Sequence, residues 1–351
     1  MKQTAQRAAL ATLVVIALVA ATLALWKLKL VISLVFLGFI VAAAMRPGID
    51  ALRRRGVPRG AGLALHYLAF AGLVALFLWI VVPRAVSQVQ HALGGTTKAQ
   101  IHQEAKHSKG LKHQVLTEID KRLRELPSAG RLFHPALELT KKAFEVVLGI
   151  FFVFATGAYW IFERDRAVNL VASLVARPRR KKLRDTWDLI DLKLGAFVRG
   201  EALLVVLVGT VLSLAFWAIG EPYFILIGAF AGIVEIVPVI GPIAAGALAI
   251  GVGFTQSWHL AVAAGICVLV VRLLEDYLII PRVLGDAVGL SPLLVLFSVT
   301  AVGILFGGFA VVLAVPLVAV LATIVDVAVR NNDPAEEEVP TVLFPAKEAE
   351  S

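Results

Sequence analysis

Two short runs of this sequence set charged residues inside otherwise apolar stretches, and those are the places where chemistry would occur. The first is Glu235-Ile236-Val237-Pro238-Val239-Ile240-Gly241-Pro242, a carboxylate followed by two prolines and a glycine. Each proline removes an amide donor and breaks or kinks a helix. Inside hydrocarbon such a break is tolerated only where protein or a water-filled cavity surrounds the freed backbone groups. Transporters use these breaks to set carbonyls and helix ends beside their cargo. Proline and glycine alone would read as a packing kink. Glu235 beside them changes the reading, because a charge within the bilayer costs roughly 2.5 kcal/mol or more.

The second run is Arg272, Glu275 and Asp276, followed by Pro281-Arg282 and Gly285-Asp286. On one helix Arg272 reaches Glu275 at i+3 and Asp276 at i+4, so the cluster partly neutralises itself. One reading is a structural ion pair near the membrane edge. The other is a polar wall of a translocation path, in which the acid left over carries a proton. Asp326 and Arg330 are also four apart and read as an interfacial pair.

Other chemistry finds little support. Five of the seven histidines (His91, His102, His107, His113 and His134) fall in one polar stretch, and their spacing fits no compact metal-ligand motif. The single cysteine, Cys267, excludes an internal disulfide or a cysteine-rich metal site within this chain. No G-x-x-x-x-G-K-[ST] loop, H-E-x-x-H or nucleophile elbow occurs, so neither ATP-driven transport by this chain alone nor an enzyme is expected, and no cofactor or metal is implied.

The elements that must position these residues follow from composition. Of 351 residues 59% are hydrophobic, and the mean hydropathy is +0.85. A soluble domain sits nearer 45–50% apolar. Several runs reach the roughly 20 apolar residues of a membrane-spanning helix and lack the alternation of a membrane barrel. The fold class is therefore all-α, a polytopic integral membrane protein. The net charge of +9 could suggest nucleic acid. Its basic residues sit in short loops beside apolar runs, however, which is how membrane topology is encoded.

Along the chain, residues 1–82 read as a three-helix membrane region. Lys2 and Arg7 ahead of Ala8–Trp26 imitate a signal peptide, but the run is long for one and a second apolar run follows at once. The basic loop with Arg46, Arg53, Arg54, Arg55 and Arg59 is placed in the cytoplasm by the positive-inside rule. A third helix, Ala61–Val82, leads outward to an extracytoplasmic helical insert over 83–142. Residues 143–162 return as the fourth span. Residues 163–200 form a cytoplasmic amphipathic segment, two short helices divided at Pro178, with Asp185, Asp188 and Asp191 opposite an apolar face. Residues 201–330 form a C-terminal core with two broken segments, the second interrupted by Gly303, Gly307, Gly308 and Pro316. A span over Trp258–Ile280, ending at Pro281, separates them. Residues 331–351 read as an acidic, disordered tail. Counting each broken segment once gives eight crossings, with both termini cytoplasmic. Either broken segment could equally be a re-entrant hairpin.

At the two charged runs the sequence resembles the autoinducer-2 exporter family of permease-like membrane proteins. The resemblance rests on Glu235–Pro242, on Glu275-Asp-Tyr-Leu-Ile-Ile-Pro-Arg-Val-Leu-Gly285, and on Leu290-Ser-Pro-Leu-Leu-Val295 running on to Gly307-Gly308 and Ala314-Val-Pro316. Arg199-Gly200-Glu201 marks the entry to the same half. The resemblance implies eight transmembrane helices, homo-oligomerisation and export of a small polar signal molecule across the bacterial inner membrane. It also carries Na⁺(Li⁺)/H⁺ antiport as an alternative. A non-transporting membrane assembly factor, using the polar insert for partners, is a third. The pathway residues expected are Glu235, Pro238, Gly241, Pro242, Arg272, Glu275, Asp276, Pro281, Gly285, Gly307, Gly308 and Pro316. The expected partners are the lipid bilayer, a small polar solute or monovalent cation, and further copies of the chain, with no nucleic acid.

Overall fold

A computed structural model describes residues 2–94, 133–283, 290–337 and 339. Every regular element among them is helical. Helix α1 covers Lys2–Lys27, α2 Lys29–Arg54, α3 Arg59–Gly94, α4 Phe133–Ser173 and α5 Arg180–Ala218. Then come α6 at Phe224–Val234, α7 at Ile240–Gln256, α8 at Trp258–Leu274, α9 at Pro292–Phe306 and α10 at Ala314–Ala328. Five segments are long and apolar enough to cross a membrane: Lys29–Arg54, Arg59–Arg84, Phe144–Ser173, Arg177–Ala218 and Gly308–Ala328. The chain is a multi-pass, all-α membrane protein. Its outer surface agrees, with side chains such as Leu13 (68% exposed), Trp79 (75%) and Ile304 (79%) left for lipid.

Several elements run further than the sequence pattern implies. The third helix passes through Pro83 and ends at Gly94. Pro83 therefore does not stop it, as membrane helices allow. The amphipathic stretch around Trp187 is no separate short helix, because it is the first half of the 39-residue α5. The stretch ahead of Pro178 likewise continues α4 to Ser173, and only the 3-10 turn Arg177–Arg179 divides the two. The part of the insert between residues 95 and 132 lies outside the described residues.

Two compact units make up the chain. The first comprises Met1–Gly56, Phe151–Gly200 and Val283–Ser351, the second Val57–Ile150 and Glu201–Arg282.

In the first unit, Ile40 and Ala43 of α2 pack with Leu194 of α5 and Leu313. Close approach is enforced by small residues. A methyl group on Gly38 would meet Thr156 at 2.8 Å, and one on Gly195 would meet the Ala43 carbonyl oxygen at 2.5 Å. An ionic knot ties the same helices. Arg164 bonds Asp191 at 2.7 Å and also pairs with Asp188, while Arg46 reaches Asp191 at 3.2 Å. Asp191 is thus covered by two arginines, while Asp188 pairs with Arg164 and stays 53% exposed. The acidic tail begins seated, not free: Lys193 pairs with Glu337, and Val339 is buried against Leu189 and Ala196. The second break of the sequence lies here. Gly307, with φ +94°, ends α9, and the 3-10 turn Gly308–Leu313 then leads into α10. Pro316 sits in the first turn of α10, where its missing amide has no intrahelical partner to lose.

The second unit is built on small-residue packing. Gly209 and Ser213 lie one turn apart on α5, as do Gly228 and Gly232 on α6. A Cβ on Gly228 would strike Ser213, and one on Gly232 would come within 2.5 Å of the Val205 carbonyl oxygen and 2.9 Å of the Gly209 Cα. Such stripes let membrane helices approach backbone to backbone, where lipid offers no hydrophobic driving force between them. The apolar core above the stripe joins Leu212 and Phe216 to Ile227 and Ala231 of α6, Ala245 and Ala249 of α7, and Ala264 and Val271 of α8.

Candidate functional site

The α6–α7 break sits in this second unit and takes its shape from the residues singled out by sequence. Glu235 caps the C-terminus of α6, with its amide bonded to the Ala231 carbonyl. The chain then turns through Pro238 and Val239 into α7. Val239 has φ +69° and ψ −50°, a strained γ-turn closed by the Ile240 amide on the Pro238 carbonyl, which a β-branched side chain resists. Gly241 packs so closely that a side chain there would collide with the Val234 carbonyl. Pro242 falls in the first turn of α7, where no amide donor is required.

On the facing side, α8 does not end where a spanning helix would. Leu274 passes into a π turn, Glu275–Ile279, closed by the Ile280 amide bonding the Glu275 carbonyl. Pro281 explains the turn. In a regular helix its ring would clash with the carbonyl four residues earlier, and widening the turn by one residue relieves this. The expectation that the span simply stops at Pro281 is therefore corrected, since helix continues through Ile280–Val283.

The two charged runs, separate in sequence, form one cluster. Nη1 of Arg272 lies 3.1 Å from Oε1 of Glu235 and 3.1 Å from Oε2 of Glu275. The other edge of the guanidinium grips Asp276 with two bonds, Nη2 to Oδ1 at 2.8 Å and Nε to Oδ2 at 3.1 Å. Burial is graded. The side chains of Glu275 and Glu235 are 2% and 7% exposed, against 30% for Arg272 and 42% for Asp276. Glu235 and Glu275 share one guanidinium nitrogen, Nη1 of Arg272, and Glu201 of α5 lies within electrostatic range of both acids. One guanidinium thus serves as the internal cation for three carboxylates, one at the end of α6 and two in the π turn after α8. Removing water from such groups is costly unless geometry and pairing are good, and here the fork of Arg272 supplies both.

Of the twelve residues expected on the pathway, Glu235, Pro238, Gly241, Pro242, Arg272, Glu275, Asp276 and Pro281 belong to this unit. Gly307, Gly308 and Pro316 shape the break of the first unit. Gly285 lies outside the described residues. Sequence reasoning missed two acids. Glu201 was visible only as part of Arg199-Gly200-Glu201. Glu221, in the loop ahead of α6, is 2% exposed, and neither carboxylate oxygen has a hydrogen-bond partner among the described residues. Nothing in Gly220-Glu221-Pro222 distinguishes it from an ordinary polar turn.

A break, a buried ion cluster and a multi-pass helical frame are the parts of a transporter. Residues 13–330 match the sequence model of the AI-2E family transporters. The chain belongs to the AI-2E transporter family. The chain is similar to "Putative transport protein YrrI" of Bacillus subtilis strain 168, 24% identical over 83% of this chain and 86% of its own length. "Putative transport protein YueF" of the same organism is 28% identical over 83% of each chain. Membership covers both units, so the α6–α7 break and the Arg272 cluster both lie within the family's matched region.

Proposed function

We propose that this AI-2E family transporter moves a small polar solute, such as a quorum-sensing signal, across the bacterial inner membrane, with both termini cytoplasmic and several copies assembled together. The observation that carries the reading is Arg272 held between Glu235 at the α6–α7 break and Glu275 and Asp276 at the π turn. Helix α6 has 11 residues, which at 1.5 Å per residue spans about 16 Å, half of a hydrocarbon core of about 30 Å. The break, and Glu235 with it, then lies inside the membrane. A polar solute entering there meets hydrogen-bond acceptors already held by a guanidinium. It can displace Arg272 from Glu235 while Asp276 keeps the arginine in place. The ion pair is a latch that the cargo opens.

A second reading has specific support. Glu235, Glu275 and Asp276 share one arginine, and three carboxylates against one cation leave an acid to spare for a proton. Exchange of that proton for Na⁺ or Li⁺ would make the protein an antiporter. Proteoliposomes with an imposed pH gradient and a pH-sensitive dye separate the two. Solute export predicts no Na⁺- or Li⁺-dependent proton flux in wild type. Cation-dependent flux that disappears in Glu235→Gln would establish antiport and remove the export reading. The assembly-factor reading predicts that deletion of residues 96–114 matters more than any change at Glu235.

A further inference from the structure

The first unit contains a cavity of about 890 Å³ that the transport reading does not use. Its walls are apolar and aromatic. Phe39 stacks on Trp160 at 4.2 Å between ring centroids, Trp160 meets Trp187 at 5.9 Å, and Ile190 continues the lining. Its polar lining consists of Arg179, Lys182, Thr186, Asp191 and Asn331. Asn331 adopts the left-handed conformation, φ +57°, just past the C-terminus of α10, and its Oδ1 accepts a 2.7 Å bond from Lys182 Nζ. That partner is neutral, so it fixes the ammonium without cancelling its charge. Arg179 has no carboxylate within ion-pair distance among the described residues. Asp191, also in the lining, is already held by Arg164 and Arg46.

A small polar solute does not suit this space, because most of the wall offers it no partner. What fits is a molecule with a long apolar body and an anionic head. Arginine and lysine recognise phosphate, and basic pockets between membrane helices take up anionic lipid head groups. The surrounding basic run strengthens the match, with Arg177, Arg179, Arg180, Lys181, Lys182 and Arg184 against Asp185 alone. We infer that this cavity is a binding site for one anionic phospholipid, its acyl chain along Phe39, Trp160 and Trp187 and its phosphate between Arg179 and Lys182.

The test uses the full chain reconstituted in vesicles of phosphatidylcholine containing a small fraction of lipid with brominated acyl chains, which quench tryptophan fluorescence on contact. Trp26, Trp79, Trp217 and Trp258 are at least half exposed and respond to any brominated lipid. Brominated phosphatidylglycerol is expected to quench more than brominated phosphatidylcholine at the same fraction. That excess should vanish in Trp160→Phe/Trp187→Phe, and vanish in Arg179→Gln/Lys182→Gln, which leaves both tryptophans present. Equal quenching by the two lipids in wild type overturns the proposal. So does an excess that survives either double variant. An excess that emerges only after removal of residues 340–351 would make the acidic tail the occupant instead, and would also overturn it.

Discussion

Arg272 and Glu235 are 37 residues apart in sequence and 3.1 Å apart in the fold. This contact joins the end of α8 to the break between α6 and α7, and it gives a buried acid its counter-charge. The energetics of the second unit are arranged around it.

Losing the arginine should therefore be far worse than losing one acid. Arg272→Met leaves Glu275 and Glu235 buried without a cation, and breaking a buried pair this way costs about 3–5 kcal/mol. Glu235→Gln keeps an acceptor oxygen for Nη1 and should cost less. Thermal unfolding in detergent is expected to rank wild type, Glu235→Gln and Arg272→Met in falling order. The double variant should be less destabilised than the sum of the two singles, because the residues share one interaction.

How much of this was legible in the sequence varies with the element. The membrane class, the two breaks and the residue types of the site were visible, since hydropathy and proline positions act locally. That the two charged runs are one cluster was not, because it depends on a long-range contact and on the π turn that Pro281 induces. The lengths of α3 and α5 were misjudged for a related reason. Pro83 and the junction at Gly200–Glu201 read as boundaries locally, yet α3 and α5 run through them, and the knot of Arg164 with Asp191 ties down the first half of α5. Glu221 gave no signal, because burial without a partner has no sequence signature.

The small-residue stripe predicts a contrast between two glycines. Gly232→Ala forces a methyl group against Val205 and Gly209 and should destabilise by about 1–3 kcal/mol. Gly251→Ala, in α7, has nothing within 4 Å of the new methyl group and should stabilise by roughly 1 kcal/mol through helix propensity. Melting temperatures of the two variants should shift in opposite directions.

Val239 holds a strained γ-turn backbone, φ +69° and ψ −50°, at a cost of about 1–3 kcal/mol. Val239→Gly removes that strain and is expected to raise the melting temperature. Val239→Ile, equally branched, should leave it near wild type.

Glu221 offers the reverse of the Arg272 case. A buried carboxylate with no partner among the described residues carries its desolvation cost uncompensated, so Glu221→Gln should stabilise the protein, and Glu221→Met, of similar volume, more so. A fall in melting temperature for both variants would mean that Glu221 has a partner not visible in the fold.

The central claim, that the Arg272 cluster lies on the path of the transported solute, is tested most directly by uptake of labelled autoinducer-2 into inverted vesicles. Wild type should be compared with Glu235→Ala at matched protein levels. A hydrogen bond to a charged group is worth about 1.5–3 kcal/mol, so its loss should slow uptake by about tenfold or more. Uptake by wild type that is unchanged in Glu235→Ala would contradict the account.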